Sequence, residues 1–126
     1  MANYQTLPQA IAGADISANQ FEAVKMGTAD NTVIAIAATT DRPVGILAND
    51  PDTSGKAAEV VVSGIVLARY GATIARGAAL GVDADGELVT LTPGSDTTRY
   101  VFCTALESGV NGDVRPVLVG YPHRGA

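Results

Sequence analysis

The sequence has 126 residues, a length that fits one domain with a modest core. Its formal net charge is −5 without a basic cluster, which argues against nucleic acid as a partner, and its apolar runs are far shorter than the roughly 20 residues of a membrane span. Hydrophobic residues make up 47% of the chain, but aromatic residues only 5% and charged residues only 17%. We therefore expect small neutral groups or another protein to cover much of its surface.

The first fifteen residues, 1–15, show no helical or strand periodicity and none of the regions of a secretory signal. A segment of this kind is expected to be disordered when nothing holds it in place. We therefore predict an extended N-terminal arm whose apolar residues bind a partner. The predicted contact residues are Tyr4, Leu7, Pro8 and Ile11. The alternative is an arm that packs back on its own domain.

Short segments rich in Val and Ile follow, and turn-forming residues bound each of them. Five of these segments predict strands: 32–39, 59–70, 87–91, 99–106 and 115–121. The dipeptide Asp85-Gly86 between two apolar segments predicts a hairpin, because glycine tolerates the positive φ of the favoured tight turns. Helix signals are limited to single turns. The sequence therefore predicts an all-β protein.

Two parts of the chain resemble one another in the order of their apolar segments and turns. The matching stretches are 16–37 with 74–91, and 42–64 with 99–120. We interpret them as two pseudo-repeated strand units, 16–66 and 74–121, in a single domain that spans 16–121. Repeated units with few charges to protect strand edges favour closure, so the predicted fold is a small, closed or nearly closed β-barrel of the β-tulip, SH3-like or a related type. Residues 122–126 are predicted to form a C-terminal tail.

The run Glu22-Ala23-Val24-Lys25-Met26 differs at one position from the Glu-Ala-Met-Lys-Met run at which biotin-carrier domains attach their cofactor. In the repeat, Lys25 lies opposite Gly81. Strand alternation then places Val24 and Met26 on one face and Lys25 on the other, toward solvent. A biotin-accepting lysine lies at a hairpin tip with about half of its domain before it, whereas only a short arm precedes Lys25. We expect an ordinary strand residue, with a biotin-carrier domain as the alternative.

No combination of residues indicates catalysis or metal binding. The only histidine, His123, lies close to the C-terminal end and has no nucleophile near it in the sequence. Asp83, Asp85 and Glu87 fit a solvated hairpin turn, since the calcium-loop pattern is absent. The single Cys103 excludes an internal disulfide and fits a small core residue of a protein that folds in a reducing cytoplasm. We predict no enzyme activity, no cofactor and no bound metal.

Five short packing and turn motifs lie between residues 43 and 119, within a longer pattern over roughly residues 13–120. They are Pro43-Val44-Gly45-Ile46, Val62-Ser63-Gly64-Ile65-Val66, Ile74-Ala75-Arg76-Gly77, Val82-Asp83-Ala84-Asp85-Gly86 and Val117-Leu118-Val119. In this order the motifs resemble the pattern of the small capsid decoration, or cement, proteins of tailed bacteriophages. The segment 101–106 departs from that pattern, because it lacks a glycine that these proteins often have there.

The resemblance implies an all-β protein that binds the outer surface of an icosahedral phage head. Such proteins often form trimers, bridge neighbouring copies of the major capsid protein and stabilise the shell against the pressure of packaged DNA. The implied partners are the major capsid protein and further copies of this chain, on the outside of a virion assembled in the host cytoplasm. A structural module of a phage tail or fibre is the alternative. If the arm is the anchor, removing residues 1–12 leaves the barrel folded but weakens capsid binding.

Overall fold

The computed structural model of the chain describes residues 4–92 and 94–124. Within these residues the chain forms ten strands, one 3-10 turn at Ser17–Asn19 and no α-helix, which confirms the all-β prediction. The strands are β1 (Tyr4–Thr6), β2 (Ile11–Ala12), β3 (Ala23–Met26), β4 (Thr32–Ala35), β5 (Gly45–Leu47), β6 (Val60–Arg69), β7 (Ala79–Val82), β8 (Leu88–Thr90), β9 (Tyr100–Ala105) and β10 (Val114–Arg124). In the described part of the chain, no helix has the length and apolar character needed to cross a membrane.

The strands follow the Val- and Ile-rich segments of the sequence, and the turns follow its Asp, Asn and Gly residues. Each of the five predicted strand segments overlaps an observed strand, namely β4, β6, β8, β9 or β10. The predicted Asp85-Gly86 turn joins β7 to β8, and Gly86 has a φ of 88°. Asn31 has a φ of 66° in the turn between β3 and β4. Asparagine tolerates this left-handed conformation better than most residues do.

All ten strands belong to one sheet, in the order β2-β4-β3-β5-β6-β10-β9-β7-β8, with β1 also paired to β6. Strands β3–β6 and β7–β10 form two units with the same internal pairing. In each unit the first two strands form a hairpin, the first also pairs with the third, and the third pairs with the fourth. The fourth strands, β6 and β10, pair with each other, so the two units are joined through their longest strands.

The sheet is open, so full closure of the predicted barrel is corrected. Within the described ranges no ladder joins the end strands β2 and β8, which have only two and three residues. At this end of the sheet, individual contacts rather than a ladder connect the two units. The backbone N–H of Ala23 donates to the carbonyl oxygen of Gly86 at 2.8 Å, and a single bridge links Tyr70 to Leu88. Strands this short cannot supply the continuous pairing that barrel closure needs.

Two apolar cores lie on opposite faces of β3, β5 and β6. Ala23 and Ile46 face the larger core, whereas their neighbours Val24 and Leu47 face the smaller one, as the alternation of strand side chains requires. The larger core also contains buried residues of the second unit, such as Leu80. Because both units contribute to it, the sheet must curve around this core. Both faces are consequently buried in β5 and at the beginnings of β3 and β6.

The predicted N-terminal arm belongs to the fold wherever it is described. β1 pairs with β6, and β2 pairs in parallel with β4. The backbone N–H of Leu7 donates to the carbonyl oxygen of Val60 at 2.9 Å. Ala10 and Ala12 are buried in the smaller core, so the segment covers a sheet face that would otherwise be bare. The extended arm is thereby corrected to a segment that packs on its own domain; the first three predicted arm residues lie outside the described ranges.

The predicted C-terminal tail is corrected as well. Strand β10 continues to Arg124, with His123 opposite Val101 and Arg124 opposite Tyr100 of β9. The last two residues of the predicted tail lie outside the described ranges. The pairing with β9 resumes after a register shift between Val119 and His123. This shift determines which side chains of the strand end face outward.

Candidate interaction surface

An open groove of about 740 Å³ lies between the first segment of the chain, the end of β3, the loop before β5, the middle of β6 and the end of β10. We call it the apolar groove. Its lining consists of Leu7, Lys25, Met26, Arg42, Pro43, Val44, Val62, Ser63, Tyr121 and Pro122. Seven of these ten side chains are apolar, and the two charged ones, Lys25 and Arg42, are basic. An open apolar concavity with a few polar groups is typical of a binding site.

Arg42 and Tyr121 meet at one side of the groove. The guanidinium carbon of Arg42 lies 5.3 Å from the centre of the Tyr121 ring, and Nη2 donates to the Tyr121 hydroxyl oxygen at 2.8 Å. Tyr121 is 78% exposed, the highest value among the exposed large hydrophobic residues of the described chain. Stacking on the ring and the hydrogen bond together hold the tyrosine in place without burying it. Tyr and Arg are also the residue types that dominate binding energy at protein interfaces.

Lys25 lies within β3 rather than at a hairpin tip, where a biotin-accepting lysine would be. Its Nζ is 2.9 Å from Oδ2 of Asp41, and its side chain is 25% exposed. Asp41 also accepts hydrogen bonds from the backbone N–H groups of Ala37 and Ala38. The hydrogen bonds from Lys25 and from this turn lower the pKa of Asp41. Met26 is half exposed and thus more accessible than Lys25, so the predicted exposure of these two residues is corrected.

Three exposed aliphatic side chains lie on the outer face of β6 and β10 and form what we call the apolar ridge. Ile65 is 44%, Leu67 47% and Leu118 46% exposed, and Leu118 lies directly opposite Ile65. The ridge depends on a switch within β6. Val61 and Val66 both face the larger core although they are five residues apart, and Gly64 between them has a φ of 102°. This irregularity, typical of a β-bulge, turns Ile65 and Leu67 outward. Exposed apolar clusters of this kind mark interaction surfaces.

The four predicted contact residues of the arm fall into two classes. Tyr4 and Leu7 are half-buried on their own domain: the Tyr4 hydroxyl donates to Oε1 of Glu59 at 2.7 Å, and Leu7 packs against the smaller core. Ile11 is half-buried in β2, whereas Pro8 is exposed. Only Leu7 also lines the apolar groove. The structure therefore does not bring the four residues together as one surface.

The acidic residues of the β7–β8 turn lie close together. One carboxylate oxygen from each of Asp83, Asp85 and Glu87 lies within 4.8 Å of the others. Oδ1 of Asp83 accepts hydrogen bonds from the backbone N–H groups of Asp85 and Glu87, as expected for a hairpin turn. Glu22 lies near this turn, and burial, assisted by the charge of Glu87, raises its pKa. Arg69, whose Nε is 3.7 Å from the Glu22 carboxylate, lowers this pKa but does not reverse the shift. The close approach of the carboxylates of Asp83, Asp85 and Glu87 is thus explained by the geometry of the turn.

Cys103 and His123 have different environments. Cys103 lies in the larger core, and burial raises the pKa of its thiol well above the ordinary value. A thiol held in its neutral form is a poor nucleophile. His123 is exposed on β10, with Nδ1 3.1 Å from the carbonyl oxygen of Arg124.

Sequence reasoning missed the two residues that define the groove, Arg42 and Tyr121. Simple alternation along β10 places Tyr121 inward, together with the buried Val117 and Val119. The register shift after Val119 reverses this orientation. The available signal was the combination of Gly120 and Pro122 on either side of the tyrosine, because both residues are unusual inside a paired strand.

Comparison with known proteins provides a fold relationship. No protein-family model and no curated protein sequence matches the chain. Among solved structures, the chain is similar to the N base of the head fiber gp8.5 of bacteriophage phi29, with a TM-score of 0.65 and 19% sequence identity. The similarity covers 87% of this chain and 89% of that one. The chain therefore shares its fold, over most of the length of both chains, with the N base of a phage head fiber.

Proposed function

We propose that this protein is a structural component of a tailed-bacteriophage virion that binds the outside of the head as a decoration protein. The observation that carries the proposal is the fold it shares with a phage head fiber base over 87% of its length. The motifs that resemble capsid decoration proteins support it independently, because they were identified from the sequence alone. The protein acts by binding and carries out no reaction.

The two exposed apolar surfaces fit this role. The proposed partner of the apolar groove is the major capsid protein, and the apolar ridge joins copies of this chain into a trimer. A little under half of each ridge side chain is exposed, so burying the remainder contributes roughly 1 kcal/mol per residue. Several modest contacts per trimer, repeated over a shell, add up through multivalency to stable attachment. In the assembled particle such contacts bridge neighbouring capsid subunits and stabilise the shell against internal pressure.

A deletion and add-back experiment tests the proposal. Virions that lack this chain are expected to release their DNA after milder heating or osmotic shock than complete virions do. Adding the purified protein should restore resistance and saturate at a fixed number of copies per capsomer. Particles that are equally robust with and without the protein, and that do not bind it, would refute the decoration role.

The base of a head fiber is the second candidate, and the similarity to such a base favours it specifically. A fiber base also attaches to the head, but it carries a projecting shaft. Electron micrographs separate the two candidates, because decoration gives low, regularly spaced density, whereas fibers extend visibly from the shell. A tail location would exclude both.

A further inference from the structure

We propose that the apolar groove binds an extended segment of a partner protein in which a carboxylate lies next to apolar side chains, and that Arg42 pairs with this carboxylate. The inference rests on the proposed function for the identity of the partner, but the chemistry of the segment follows from the groove itself. Its support is the charge, the exposure and the shape of the lining.

The charge of the groove is opposite to that of the chain. The sequence has 13 acidic and 8 basic residues, yet the described lining residues include two basic and no acidic ones. Lys25 already forms a salt bridge with Asp41, in which Nζ lies 2.9 Å from Oδ2. Arg42 is exposed and, within the described residues, forms no salt bridge; its partner is the neutral hydroxyl of Tyr121. A carboxylate is the group that completes this site, because arginine pairs with carboxylates through two parallel hydrogen bonds.

The apolar part of the groove supplies the contact area beside Arg42. Val44 and Val62 are half-buried, and Met26 and Tyr121 are 50% and 78% exposed. Methionine adapts to different side chains, and tyrosine gives a large rigid contact at low entropic cost. The groove is open along the surface, so a chain segment can lie along it and place apolar side chains on both sides of the arginine. We therefore expect a segment with Asp or Glu next to Leu, Phe or a similar residue.

Selection from a random dodecapeptide display library tests the inference. The same library is selected against the wild-type protein and against Arg42→Glu. The wild type should enrich peptides with Asp or Glu beside a large apolar residue, and the charge reversal should enrich Lys or Arg in the same place. Identical peptides from both proteins, peptides without an acidic residue, or no enrichment at all would overturn the inference.

Titration of one selected peptide, made synthetically, then locates the contact. Its affinity should fall about tenfold or more in Arg42→Ala, recover partly in Arg42→Lys and remain unchanged in Arg76→Ala, an exposed arginine outside the groove. Affinity should also decrease with added salt, as expected for a charge pair near the surface. A peptide that binds Arg42→Ala as tightly as wild type would overturn the assignment. No phage particle is involved, so the result holds independently of head binding; competition of the peptide against head binding tests the proposed function separately.

Discussion

The guanidinium group of Arg42 lies over the ring of Tyr121, 79 residues away in the sequence, and donates a hydrogen bond to its hydroxyl oxygen at 2.8 Å. The pair links the loop before β5 to the end of β10. It keeps a large aromatic side chain in a fixed but exposed position beside the apolar groove. This is an arrangement suited to binding rather than to stability, since the ring contributes little to either core.

Replacing Tyr121 by alanine should therefore weaken attachment to phage heads without destabilising the protein. The free energy of unfolding should change by less than about 0.5 kcal/mol, as for other exposed side chains. Affinity for heads should fall roughly tenfold, the loss typical of an interface residue worth more than 1 kcal/mol. Co-sedimentation with heads and urea unfolding measure the two quantities. Arg76→Ala is the matched control and should alter neither; equal head binding by Tyr121→Ala and wild type would contradict the role of the groove.

Removing residues 1–12 should destabilise the fold, whereas the expectation from sequence is that their loss leaves the barrel folded and weakens only capsid binding. The segment buries Ala10 and Ala12 and covers the face of the sheet that carries Val24 and Leu47. Its loss exposes this apolar surface and removes the pairing of β1 with β6. The cost should be several kcal/mol, about the range found when a large core side chain is deleted.

Single substitutions refine this test. Leu7→Ala should cost about 1–2 kcal/mol, less than a fully buried leucine because Leu7 is only half-buried. Pro8→Ala, at an exposed position of the same segment, serves as the control and should leave the urea midpoint nearly unchanged. If the truncated chain unfolds at the same urea concentration as the full chain, the segment does not pack as described.

Introducing a charge into the apolar ridge should prevent self-association. Leu118→Glu places a carboxylate beside Ile65 on the outer face, where burial in an interface between copies is strongly unfavourable. Light scattering after size exclusion should give the mass of three chains for the wild type and of one chain for the variant. Thr28→Glu, at an exposed position in the turn between β3 and β4, should remain a trimer. A wild type that is monomeric, or a variant that still assembles, would contradict the role of the ridge.

Glu22 should make stability depend on pH in a characteristic direction. Burial raises its pKa in the folded protein above the unfolded value, so the folded state binds the proton more tightly. The contribution of this group to stability is complete below the unfolded pKa and is lost as pH rises through the raised folded pKa. Glu22→Gln cannot ionise, and its Oε1 can still accept the hydrogen bond that Asn19 Nδ2 donates to Glu22.

Relative to wild type, Glu22→Gln should therefore become more stable as pH is raised from the carboxyl range toward neutrality. Urea unfolding at a series of pH values measures the difference between the two proteins. Asp30→Asn, at an exposed site, controls for the change in net charge. A Glu22→Gln variant whose stability falls relative to wild type over the same interval would show that the ion pair with Arg69 outweighs the cost of burial.

Much of the fold could be predicted from local sequence. Val- and Ile-rich segments identify five of the ten strands, and the Asp85-Gly86 turn identifies one hairpin, because β-branched residues favour strands and glycine permits the turn. The glycine of the Pro43-Val44-Gly45-Ile46 motif also has a steric explanation. A β-carbon on Gly45 would collide with the backbone oxygen of Val61 on the paired strand β6.

The remaining features depend on contacts between distant parts of the chain. The first segment shows no strand pattern because β1 and β2 have only three and two residues, and partners on β6 and β4 hold them in place. The irregularity at Gly64 and the register shift after Val119 each reverse the side-chain alternation. As a result Ile65, Leu67 and Tyr121 are exposed where simple alternation predicts burial. Whether the sheet closes depends on the lengths of its end strands, which composition does not determine.

The location of the chain in the particle is the most direct test of the account. Gold-labelled antibody against the purified protein, or a cryo-electron microscopy map of the virion, should place it at regular positions on the outer surface of the head. Groove residues such as Arg42 and Tyr121 should face the shell. Label confined to the tail, or a head surface without density for this fold, would contradict the proposed function.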